Sequence, residues 1–103
     1  MTFTEKQIQE VWEKAKVIDL FDSSVFRKDN CGAWIIRNQY GKQDSEYGWE
    51  IDHLTPKIYG GRDELSNLSP LQWQNKKNKL DSVLVCRITS EKGENVEMMC
   101  QYN

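Results

Sequence analysis

The sequence predicts an α+β fold in a single domain over 1–103, and three observations carry that reading. Ile8, Val11, Trp12 and Ala15 recur at helical spacing directly behind a capping pattern. The stretches 31–37 and 46–52 are short, apolar or alternating, and bounded by turn residues, as strands are. A second pair of such stretches flanks Lys92-Gly93-Glu94 near the end of the chain. The expected organisation is a leading helix at 4–17, a strand–strand–helix core over 31–80, and a C-terminal β-strand pair over 83–101.

Each element has a local cause. Thr4 is a good N-cap, Gln7 stands three residues on, and Phe3 can staple to Ile8. Glu5, Gln9, Glu13 and Lys16 lie off the apolar stripe. The stretch 19–30 has no period but carries Leu20, Phe21, Val25 and Phe26, so it reads as an ordered loop rather than a free linker. Strands 31–37 and 46–52 are joined by a polar turn containing Gly41, which predicts an antiparallel hairpin. In the second strand Tyr47, Trp49 and Ile51 share one side, and Glu46, Glu50 and Asp52 the other.

Pro56 ends that strand, and Gly60-Gly61 marks a tight loop. Ser69 as N-cap, Pro70 at the first helical position and Gln72 at the third predict a helix running to about Leu80, with Leu71 and Trp73 as early anchors. The tail strands are 83–88 and 96–100. A turn centred on Gly93 sets Cys86 opposite Cys100, as a disulfide or, the plainer reading, as two buried thiols.

Composition narrows the function classes. Hydrophobic residues make up 38% of the 103, too many for disorder, while apolar runs are too short for a membrane span. The opening residues show no secretory pattern. The three cysteines form no CxxC pair, which argues against structural zinc and a redox motif, and an odd count without a secretory pattern fits reduced thiols in a cytoplasmic protein. A net charge of −2 supplies no global pull toward nucleic acid, although Lys76, Lys77 and Lys79 form a local basic patch.

The segment that carries chemistry runs from Glu50-Ile-Asp-His53 through Gly60-Gly61 to Asn67-Leu-Ser-Pro-Leu71 and a polar helix. At a strand end an aspartate can hold a hard cation while the neighbouring imidazole faces a substrate. Asn67 is far enough along the chain to return and accept an imidazole N–H, fixing the tautomer. A divalent ion, a neutral imidazole and lysines together suit hydrolysis of a phosphodiester.

These residues resemble the HNH endonucleases, whose fold is the ββα-metal core. The stretch CGAWIIRNQYGKQDSEYGWEIDH, the Gly-Gly loop, NLSPLQW and the following Lys and Asp carry the likeness, which covers roughly 25–81. The resemblance implies His53 as general base, Asp52 as metal ligand and Asn67 as the residue that positions the base. It implies Mg²⁺ or Mn²⁺ as cofactor, DNA as substrate, and the subgroup without zinc-binding CxxC pairs. No organic cofactor and no membrane partner are expected.

The sequence departs from the family at one place. A further metal ligand, His or Asn, is expected on the helix nine residues beyond Asn67, where this chain has Lys76. Three readings stay open. Asn75 replaces the ligand through a slipped helix start; Asp52 holds the ion with water and the scissile phosphate; or the Lys76 ammonium takes the ion's place and weakens or abolishes cleavage. Arg62, Lys76, Lys77 and Lys79 are the candidate phosphate contacts. The alternative function is a catalytically impaired HNH-fold module, such as a phage or mobile-element accessory or inhibitor, acting on a protein or nucleic-acid partner.

Overall fold

A computed structural model describes residues 2–80 and 82–98. Among them are two α-helices and three separate two-stranded antiparallel sheets, an α+β architecture. No helix among the described residues is long and apolar enough to cross a membrane.

Helix α1 (Glu5–Trp12) begins as its sequence dictates. The Gln7 amide donates to Thr4 Oγ1 at 3.1 Å, and the Thr4 amide donates to Gln7 Oε1 at 2.9 Å. Its stripe of Ile8, Val11 and Trp12 is buried, and Ala15 joins the same core just past the helix. The helix ends earlier than the expected 17. The backbone of Lys16 is recruited by Lys28 through two reciprocal hydrogen bonds of 2.8 and 3.0 Å, and an extended partner there is incompatible with another helical turn.

That partner belongs to β1 (Phe26–Lys28), which pairs with β2 (Trp34–Ile36) in the register Phe26↔Ile36. The expected hairpin between 31–37 and 46–52 therefore does not form, and part of the expected loop 19–30 is a strand. Asp29 is the reason. Its Oδ1 accepts the amides of Cys31 and Ala33, both at 2.9 Å, and Gly32 takes φ +82°, so the chain reverses immediately. No ladder joins the 46–52 stretch to β2, although Ile36 N donates to Tyr47 O at 3.1 Å.

Instead β3 (Trp49–His53) pairs with β4 (Leu68–Gln72), with Trp49↔Gln72, Ile51↔Pro70 and His53↔Leu68 opposite each other. The expected helix start at Ser69-Pro70 is thus a strand, which tolerates proline because it is an edge strand. Helix α2 is only Trp73–Lys77 and is capped by Gln72, whose side chain accepts from the amides of Gln74 and Asn75. Trp49, Ile51 and Leu68 carry this sheet into the core with Ile8, Val11, Trp12 and Ile35.

The tail forms β5 (Ile88–Glu91) and β6 (Glu94–Glu97), paired Ile88↔Glu97 across a Lys92-Gly93 turn with both residues at positive φ. The strands lie later and earlier, respectively, than the expected 83–88 and 96–100. Cys86 is disulfide-bonded to Cys31, Cα–Cα 5.5 Å. This replaces the expected juxtaposition with Cys100, which lies outside the described residues, and Cys31 and Cys86 are not the reduced thiols expected of a cytoplasmic protein.

Candidate functional site

Strand β3, the loop 54–67, strand β4 and helix α2 form one continuous strand–loop–strand–helix unit. Asp52 and His53 stand at the end of β3, where successive side chains take opposite sides. They accordingly meet different partners.

His53 Nε2 lies 2.7 Å from Asp63 Oδ1, and the imidazole ring packs near Phe3, centroids 6.0 Å apart. The second oxygen of Asp63 is 3.4 Å from Lys57 Nζ. The hydrogen bond from His53 is the main cause that holds the Asp63 carboxyl below the usual carboxylate range; partial burial opposes it and Lys57 adds to it. Asp63 was not among the expected site residues. Its sequence signal is an acid two positions beyond the Gly-Gly turn, close enough for the loop to bring it back.

Asn67 does not touch the imidazole. Its Oδ1 accepts the Thr55 amide at 2.8 Å, and its Nδ2 donates to the carbonyls of Thr55 and Arg62 at 3.0 and 2.9 Å. It is the clasp that closes the loop carrying Asp63. The two glycines serve the same closure for different reasons. Gly60 takes φ +90°, whereas a Cβ on Gly61 would lie 1.7 Å from the Thr55 carbonyl oxygen.

Asp52 is buried and ion-paired with Lys79, whose Nζ lies 3.1 and 2.9 Å from its two carboxylate oxygens. The same ammonium donates to the His53 carbonyl at 3.1 Å. Three oxygens therefore face one ammonium, that of Lys79 and not of Lys76. Lys76 Nζ instead lies 3.4 Å from Glu50. Lys77 is exposed, and Arg62 makes a solvent-exposed pair with Glu64 at 3.9 Å.

Asn75 stands apart from this cation. It is fully buried, and its carboxamide has both donors and both acceptor positions in use. Nδ2 donates to Asp29 Oδ2 and to the Ile88 carbonyl; Oδ1 accepts the amides of Arg87 and Ile88. Asp29 Oδ2 also accepts the Gln72 amide, so Asp29 and Asn75 lock α2 to the β1–β2 turn and to β5. Among the described residues no group of three or more His, Cys, Asp or Glu gathers as a metal cluster.

The chain matches no family model, no curated protein and no solved structure.

Proposed function

We propose that the chain is an HNH-type endonuclease module that hydrolyses DNA phosphodiesters, with His53 as general base. One observation carries the reading. A half-buried imidazole at a strand end, paired at 2.7 Å with a carboxylate, stands on a strand–loop–strand–helix unit. That order of elements is what a ββα core requires. In the reaction a water proton passes to His53 as the water oxygen bonds phosphorus; the phosphorus–oxygen bond to the leaving group breaks, and solvent protonates the departing oxygen.

The cation seat has hard donors: the two Asp52 oxygens and the His53 carbonyl oxygen converge on one positive charge. This donor chemistry fits Mg²⁺ or Mn²⁺ with water completing the shell, and Asp52 would hold it once Lys79 withdraws. Asn75, saturated in the core, does not join that set. A bound divalent ion would supply charge stabilisation at the leaving oxygen. A net charge of −2 supplies no global attraction to the DNA backbone, so recruitment to DNA falls to local cations or to a partner.

The grip of Lys79 on Asp52 favours a second reading, a module of the same fold disarmed for cleavage and acting by binding a protein or nucleic acid. A supercoiled-plasmid nicking assay in Mg²⁺ and in Mn²⁺ separates the two. The endonuclease reading expects nicks from the wild type and none from His53→Ala. Silence from the wild type with nicking by Lys79→Ala supports the disarmed module. Nicking that survives His53→Ala removes both.

A further inference from the structure

We propose that Asp63 is the positioning residue of His53: it holds the imidazole with its hydrogen on Nε2 and leaves Nδ1 as the nitrogen that takes the proton from water. The inference rests on the reading of His53 as general base and specifies which ring atom acts.

The chemistry of the pair dictates the tautomer. An ionised carboxylate only accepts hydrogen bonds, and a neutral imidazole has one donor nitrogen and one acceptor. At 2.7 Å from Asp63 Oδ1, Nε2 is the donor, because two facing lone pairs at that distance repel. The lone pair of the neutral ring is then on Nδ1. When Nδ1 gains a proton the ring becomes an imidazolium, and the adjacent carboxylate stabilises that charge without changing its own protonation.

Asp63 can act this way because its loop is held. Asn67 binds the carbonyl of Arg62, the residue directly before Asp63, and both backbone polar groups of Thr55. Gly61 lets the Thr55 carbonyl approach where any side chain would collide. Lys57 faces the other Asp63 oxygen, and Phe3 lies against the far partner, the imidazole ring. Carboxylate and ring are thus each constrained from a second side.

His53 is the single histidine of the chain, so ¹⁵N-histidine labelling yields the spectrum of one ring. Two-bond ¹H–¹⁵N correlations are recorded in alkaline solution to observe the neutral ring. The expected result is the Nε2–H tautomer in the wild type and a shift of population toward Nδ1–H in Asp63→Asn, whose amide can turn to donate. In the nicking assay Asp63→Asn is expected to lower kcat between about 10-fold and 100-fold with KM little changed. An Nδ1–H tautomer in the wild type, or an unchanged tautomer in Asp63→Asn, overturns the inference. An Nδ1–H ring in the wild type overturns it even where the variant fails to fold. An Nε2–H ring in a wild type that never nicks DNA overturns the endonuclease reading and leaves the tautomer assignment standing.

Discussion

Lys79 Nζ bridges both carboxylate oxygens of Asp52, at 3.1 and 2.9 Å, from a position just beyond α2. The side chains are only 13% and 10% exposed, so each charge depends on the other. Removing one partner of a buried pair leaves an uncompensated charge and costs about 3–5 kcal/mol. Lys79→Ala is therefore expected to destabilise the metal-free protein by an amount near the lower end of that range. If Asp52 is a cation seat, Mg²⁺ will restore part of the loss, because an ion that binds only the folded state stabilises it. Thermal melts with and without MgCl₂ check this: the variant should rise with Mg²⁺ by several degrees more than the wild type. Equal responses would remove Asp52 as a seat for divalent ions.

Asn75, one of the expected metal ligands, offers the opposite outcome. Its carboxamide satisfies a buried carboxylate, a carbonyl and two amides. Asn75→Ala strands the Ile88 carbonyl and the Arg87 and Ile88 amides, while Asp29 Oδ2 keeps the Gln72 amide, and each orphaned buried group costs about 1–3 kcal/mol. Urea denaturation is expected to show a loss of about 3 kcal/mol or more, with divalent-ion affinity unchanged in whatever folded fraction remains. Asn75→Asp should be no better, because it faces Asp29 with a second carboxylate. A stable Asn75→Ala protein with weakened ion binding would make Asn75 a ligand of the proposed ion.

The pattern of what the sequence revealed follows from how local each cause is. Helix α1 was legible from Thr4 to Trp12 because its cap and stripe are separated by a few residues. The partners of the strands were not legible. The alternation of Trp49 and Ile51 predicts a strand, but its pairing with Leu68–Gln72 spans a long loop, and nothing local at Ser69-Pro70-Leu71-Gln72 distinguishes a strand from a capped helix start. Asp29 decided where the first hairpin turns, yet as an isolated aspartate it carried no period. The site divides in the same way. Asp52 and His53 were recognisable at a strand end, whereas Asp63 and Lys79, which determine what those two side chains do, arrive from a loop and from beyond a helix.

The disulfide is one such non-local cause that can be tested. Cys31 and Cys86, 55 residues apart, tie the β1–β2 turn to the segment entering β5. Cross-linking a loop of that length restricts the unfolded chain by about 4 kcal/mol in the chain-entropy treatment, with measured effects typically about 2–4 kcal/mol. Urea denaturation of Cys31→Ser/Cys86→Ser should show a loss in that range. Dithiothreitol should lower the wild-type midpoint and leave that of the double variant unmoved. A midpoint equally insensitive in both proteins would mean that the bond does not form in solution.

The Asp63–His53 pair makes a prediction about acid. The hydrogen bond from His53 holds the Asp63 carboxyl below the ordinary 3.8 of an aspartate, with Lys57 assisting and burial opposing. A group whose pKa is depressed by folding contributes stability above its unfolded value, and the contribution is lost as pH falls through the folded value. The contact should thus be intact at neutral pH, still present near pH 3.8, and lost only in more acid solution. Carboxyl ¹³C NMR of Asp63 is the direct measurement. Its titration midpoint should lie below 3.8 in the wild type and move up toward that value in His53→Ala, with a smaller upward move in Lys57→Ala. The order of the two shifts matters, because it separates the imidazole contact from the general influence of a nearby lysine. A midpoint unaffected by His53→Ala would mean that the carboxylate is not bonded to the ring in solution. The loop, although closed by Asn67, would then present Asp63 to solvent rather than to His53.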